Sequence, residues 1–147
     1  VYKRQFPESS RTLKLLGAQL VVLPTNWPRL AMKRAQTSMR AYENNVNYFA
    51  VNRVGEERGT VFPGGSLAAD TKGTILAEGG DEPGCVTVEF DLQDADANHI
   101  VLKPGEYEFD YQADRRPDAY RPITAQATSG APTGSCSSSA EAAGPTT

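Results

Sequence analysis

The chain is poor in the residues that most often announce chemistry. Its 147 residues include two cysteines, Cys85 and Cys136, one histidine, His99, and one tryptophan, Trp27. Two cysteines cannot build a disulfide scaffold, and one histidine with two distant cysteines excludes a Cys/His zinc site and any catalytic set that needs several imidazoles. No metal site and no cofactor are expected. Apolar runs are short: Leu20-Val21-Val22-Leu23 is a fraction of the ~20 residues a helix needs to cross a bilayer. An excess of basic charge is also missing. Fifteen Lys and Arg stand against 18 Asp and Glu, for a net charge of −3 and a pI near 5.2. Nucleic acid and anionic membrane, which select clustered cations, are therefore not expected as partners. No secretory leader pattern is read at the start, so the expected compartment is the cytoplasm. The first residue is Val1 rather than Met, and the expectation is a fragment of a longer chain.

What is present divides in two. From 125 to 147 the text is almost wholly Ala, Ser, Thr, Gly and Pro, with Gln126, Cys136 and, as its one charge, Glu141. Such a stretch buries too little apolar surface to offset its conformational entropy, so a disordered tail is expected there. Residues 1–124 form the folded part. Pro7 and Glu8 suit the start of a helix over 9–16, and Gly17 suits its end. Residues 18–24 read as a strand buried on both faces, followed by a loop at Asn26-Trp27. Residues 29–46 read as a helix whose Met32, Ala35, Met39, Tyr42 and Val46 form one stripe, expected to be core. Arg40 and Glu43 are spaced to pair on it. Strands are expected at 48–54, 59–69, 74–78 and 85–92, with a hairpin turn at Asp70-Thr71-Lys72-Gly73. A short edge strand is expected at 107–111. This order predicts an α/β fold, in which ligands gather beyond the C-terminal ends of strands. That places candidate site loops at Asn26-Trp27 and Asn52-Arg53.

Several segments, in order, resemble the nitrilase superfamily of carbon–nitrogen hydrolases. Tyr2-Lys3-Arg4-Gln5-Phe6-Pro7-Glu8 resembles the family's Cys-Tyr-Asp-x-x-Phe-Pro-Glu segment. Pro24-Thr25-Asn26-Trp27-Pro28 is similar to the loop after the next strand. Arg40-Ala41-Tyr42-Glu43-Asn44 running to Asn52-Arg53-Val54-Gly55 resembles the Arg-Ala-x-Glu-Asn … Asn-Arg-x-Gly pattern. Phe62-Pro63-Gly64-Gly65-Ser66 with Gly73-Thr74-Ile75-Leu76-Ala77 resembles the Gly-x-Ser strand and its hairpin, and Arg115-Arg116-Pro117-Asp118-Ala119-Tyr120 fits the ending. Motifs gain weight from their order and context.

The resemblance implies the C-terminal half of a four-layer α-β-β-α sandwich. It implies, for the intact form, hydrolysis of a small linear amide, N-carbamoyl compound or nitrile. A Cys thiolate attacks, a Glu moves protons and a Lys steadies the oxyanion. The Glu and Lys belong to the half not present here. The Cys position, immediately before Tyr2, is Val1, which cannot form a thioester, and the family's Asp two places on is Lys3. The chain by itself is therefore expected to be inactive. Pocket wall is what remains by resemblance: Tyr2, Arg4, Asn26 and Trp27 as substrate-binding residues, with Arg4 suited to a substrate carboxylate. Cys85 reads as a buried structural cysteine, His99 as a surface histidine in a polar loop, and Asp91, Asp94 and Asp96 as a solvated face. Glu43 and Arg53 read as structural ion-pair partners. The resemblance also implies a homo-oligomer. The competing expectation is a non-catalytic module that self-associates through a sheet face left open by the missing half.

Overall fold

A computed structural model describes residues 5–28 and 31–125. The chain divides into two compact units, Val1–Arg115 and Arg116–Thr147. In the first, helix α1 (Pro7–Leu15) leads to strand β1 (Leu20–Thr25), helix α2 (Lys33–Asn44) and strand β2 (Asn47–Asn52). Strands β3 (Val54–Glu57), β4 (Thr60–Pro63), β5 (Leu67–Ala69) and β6 (Ile75–Glu78) follow. A 3-10 turn (Leu92–Asp96) then precedes strands β7 (His99–Lys103) and β8 (Tyr107–Asp110). One mixed sheet of order β1-β2-β5-β6 carries the fold; β3-β4 and β7-β8 are separate hairpins. Only β1 and β2 run parallel among the described strands, with α2 as the crossover between them. The helix-strand alternation expected of an α/β fold is thus present.

One face of the sheet is covered. Val21, Tyr48, Ala69 and Ile75 stand side by side across its four strands. Val21, Tyr48 and Ala69 form the core cluster with Ala41 and Val46, and Ile75, partly buried, packs against it. Helix α2 packs over β2 and β5, and α1 lies beside α2. Of the stripe expected to face the core, Val46 does so, while Met32, Ala35, Met39 and Tyr42 do not. Met32 is 71% exposed, and Met39 and Tyr42 are half exposed. The buried face of α2 is Lys33, Thr37, Ala41 and Asn44. Small side chains at 37 and 41 allow a close helix–sheet approach, which methionines would hold apart. Asn45 ends α2 in the left-handed conformation, φ 48°, which Asn tolerates. Its amide donates to the carbonyls of Ala97 (3.0 Å) and Ala95 (3.3 Å). Buried Lys14 of α1 donates to Asn45 O (3.1 Å) and to Ala95 O. These contacts tie α1, the end of α2 and the 92–96 turn together. Burial, with Arg11 nearby, lowers the Lys14 pKa from its ordinary value, against the opposing pull of Asp96 and Asp110.

The other face is largely open. Val22, Phe49, Ala68 and Ala77 align across it, and Val22 and Val51 are 52% and 49% exposed. The expectation that 18–24 is buried on both faces is therefore corrected. Residues 85–92 do not form the expected strand, having no ladder partner among the described residues. They run irregularly beside this face, where Phe90 meets Phe49 edge-on at 5.2 Å. Cys85 is correspondingly exposed, not the buried cysteine expected. Between this segment and the sheet lies an open groove of about 90 Å³, lined in part by Phe49, Val51, Val86 and Val88. It is well below the ~300 Å³ at which ligand pockets begin.

The expected strand over 59–69 is broken into β4 and β5 by Gly64 and Gly65, both with positive φ (61° and 65°). The 70–73 turn forms as expected: Asp70 Oδ1 accepts from Lys72 N (2.9 Å) and Thr74 N (2.8 Å). His99 lies in β7 rather than a loop. It is exposed, 3.1 Å from Glu108. In the second unit a 3-10 turn (Pro117–Tyr120) leads into the short helix α3 (Arg121–Thr124), and Arg116 grips Asp118 with two guanidinium contacts of 3.0 and 2.7 Å. The expected tail at 125–147 lies, apart from Ala125, outside the described residues. No helix among those residues is long and apolar enough to cross a membrane.

Candidate functional site

The parallel pair β1-β2 ends with Thr25 opposite Asn52. Beyond that point the ladder is continued by a side chain. Asn52 Oδ1 accepts from the Trp27 backbone N–H (2.7 Å), and Asn52 Nδ2 donates to the Trp27 carbonyl (3.1 Å). Nδ2 donates again to the Gly64 carbonyl (2.7 Å). A carboxamide has the one acceptor and two donors that this arrangement uses. Its orientation follows from its partners, since the Trp27 N–H can only donate and the two carbonyls can only accept. Asn52 is 8% exposed, so these bonds are sheltered from water and each polar group would be costly to strand.

Ser66 extends the antiparallel β2-β5 pairing in the same way. Its Oγ accepts from Asn52 N (3.0 Å) and donates to Asn52 O (3.3 Å). The turn at Gly64-Gly65 is held from several sides. Gly64 N donates to Arg53 O (3.0 Å) and Gly65 N to Gly80 O (2.9 Å). Lys33, buried at the start of α2, donates to Gly65 O and lies 3.4 Å from Glu78, which also meets Arg34 at 3.2 Å. At Gly64 a Cβ would stand 2.4 Å from Gly80 O and 2.5 Å from a Val54 methyl. Only glycine fits that backbone and that space.

The two described substrate-wall candidates have different settings. Trp27 is 3% exposed, with its ring in the interior. Asn26, next to it, is exposed at the strand edge. Tyr2, Arg4 and the Val1 position lie outside the described residues. Glu43 pairs with Arg40 (2.7 Å). Arg53 pairs with Glu57 and stacks over Phe62, 4.8 Å from its centroid; both side chains are structural ion-pair partners, as expected. Lys33, Gly64, Gly65 and Ser66 were not among the expected site residues. A Gly-Gly pair inside an apparent strand was the available signal, since it marks a break or a close backbone approach. Nothing in the sequence marks Lys33. Among the described residues no group of three or more His, Cys, Asp or Glu is placed to hold a metal ion. What this edge offers is a rigid mount for a loop.

Comparison with known proteins agrees with this architecture. The carbon–nitrogen hydrolase family profile matches residues 1–99, and the chain belongs to that family. It is 39% identical over 119 residues to an (R)-stereoselective amidase from Pseudomonas sp., covering 78% of this chain and 40% of that protein. It is 38% identical over 96 residues to a 2-oxoglutaramate amidase from Bacillus subtilis, covering 64% and 37%. An amidase structure from Nesterenkonia sp. superposes with a TM-score of 0.63 at 30% identity, covering 82% of this chain and 40% of that one. A carbon–nitrogen hydrolase from Helicobacter pylori gives a TM-score of 0.65 at 20% identity, covering 84% and 46%, and shares the fold. The chain thus spans about two-fifths of the length of these relatives and carries part of the nitrilase fold.

Proposed function

We propose that this chain is the C-terminal portion of an enzyme that hydrolyses a small linear amide, with N-carbamoyl compounds and nitriles as neighbouring substrate classes, through a Cys thioester. The observation that carries this reading is the 39% identity to the (R)-stereoselective amidase, which runs through 119 residues. A relative from Nesterenkonia sp. has been captured with the acetamide moiety of fluoroacetamide added covalently at its active-site cysteine, and another form of it with butyramide. In this reading the described edge supplies substrate wall through Asn26, mounted on Trp27, with Tyr2 and Arg4 completing the wall. In this reading the Glu base and the oxyanion Lys come from the portion upstream of this chain, and the Cys nucleophile is supplied from there as well, since Val1 at the matching position carries no thiol. The 147 residues alone are expected to release no ammonia from acetamide or butyramide, and a form extended through the upstream coding sequence is expected to do so. Turnover by the short chain, or an upstream coding sequence without an in-frame segment carrying the Glu and Lys motifs and a Cys codon, would sink the proposal.

A second reading rests on the open sheet face, where Val22 and Val51 are each about half exposed. Here the chain is a non-catalytic module that covers this face by self-association. Light scattering after size exclusion tests it: a dimer or larger species is expected, and a monomer that binds no hydrophobic dye contradicts it.

A further inference from the structure

We propose that Asn52 is the positioning residue of the Asn26–Trp27 loop: it locks the peptide plane that sets how Asn26 is presented at the strand edge. The inference rests on the reading of that loop as substrate wall. All three side-chain bonds of Asn52 leave its own strand. Two go to Trp27 and one to Gly64, while its main chain is held separately by Ser66. The side chain is therefore not needed to close the β2-β5 ladder. The Trp27 N–H belongs to the same rigid peptide plane as the Asn26 carbonyl. Fixing that N–H at 2.7 Å fixes the backbone rotation between the Asn26 Cα and that plane. The second bond, from Nδ2 to the Trp27 carbonyl, fixes the next plane. The residue between the two planes is the buried anchor, and the residue before them is the exposed one.

The chemistry admits few substitutes. Aspartate keeps the acceptor for Trp27 N–H but loses both donors and sets a carboxylate against two carbonyls. Serine is too short to reach both Trp27 groups, and alanine offers nothing. The loop's anchor is also the chain's single tryptophan, so its state is directly readable.

The test measures Trp27 in the 147-residue chain. In N52A the Trp27 amide is expected to exchange with solvent about ten- to a hundredfold faster, the change that follows from stranding one buried bond. Acrylamide quenching of Trp27 should rise, while amides of the β2-β5 ladder stay protected. N52D should recover part of the Trp27 amide protection, because the acceptor returns, while quenching remains raised. K14M, which weakens the α1–α2 junction, serves as the stability-matched control and should leave Trp27 unmoved. If N52A does not fold, N52S is read in its place. Unchanged Trp27 exchange in a folded Asn52 variant overturns the proposal, as does equal loosening of Trp27 by K14M. In an extended form that turns over an amide, N52A should raise KM by about tenfold with a smaller change in kcat, the signature of lost ground-state placement. An extended form inert toward amides overturns the proposed function, and the Trp27 measurements still decide the role of Asn52.

Discussion

The two faces of the β1-β2-β5-β6 sheet are made of similar residues but live under different conditions. On the covered face Val21, Tyr48 and Ala69 pack against Ala41 and Val46 and are almost wholly removed from water. On the other face Val22 and Val51 keep about half their surface in solvent, and among the described residues the irregular 86–90 segment lies alongside. The same aliphatic side chain therefore contributes differently depending on which way the pleat points it. Burial stabilises at roughly 25 cal/mol per Å² of apolar surface, so a half-covered valine has delivered only part of its share.

Substitutions that contrast the faces sharpen this difference. The largest effect is expected for Tyr48→Ala, which empties the covered face and should lower unfolding stability by about 3–5 kcal/mol in denaturant titration. Next comes Gly64→Ala at the strand-end mount. Its Cβ has no room beside Gly80 O and Val54, and a loss of about 1–3 kcal/mol is expected from strain and displaced backbone. An intermediate effect is confined to alkaline pH. Burial, with Tyr42 beside it, pushes the Tyr111 phenol from 10.0 up to about 12. The folded state then holds this proton more tightly than the unfolded one. The contribution is complete below pH 10 and is lost as pH rises through about 12. Tyr111→Phe should flatten the fall in stability between those values, and an unchanged slope would show that another group governs it. The smallest effect is expected for Val22→Lys on the open face, within about 0.5 kcal/mol of the parent, as for surface sites generally. The same change should abolish any self-association through that face. A loss near that of Tyr48→Ala would break the comparison, because it would mean Val22 is covered in solution.

These contrasts also explain what could be read beforehand. Helix α1 was legible because Pro7, Glu8 and Gly17 mark its ends. The 70–73 turn was legible because Asp70 and Gly73 carry their own local bonding. Helix α2 was found but rotated. Periodicity reveals that Met32, Met39 and Tyr42 share a stripe, yet it does not say which stripe meets the sheet. The close approach through Thr37 and Ala41 decided that, and it is a property of two surfaces together. The 85–92 segment alternates like a strand but has no partner among the described residues to complete a ladder, and a ladder partner is never visible in the segment itself. Of the candidate site, the strand-end rule pointed to Asn26-Trp27 and to Asn52-Arg53. That the two loops are joined by one carboxamide required their distance in space.

The parallel pairing of β1 with β2 bears on how the chain acquires its shape in time. Each antiparallel contact in the sheet or the hairpins joins segments separated by a short turn or by β3-β4, and such contacts close locally. Register between Leu20 and Asn47 instead waits for the whole of α2 to be laid down as a crossover. Sequence separation of contacts slows folding, so within the sheet this pairing is expected to be the slowest to form. The order of events is then helix first, parallel pair second, and the strand-end loops last, once Thr25 and Asn52 have been brought opposite each other.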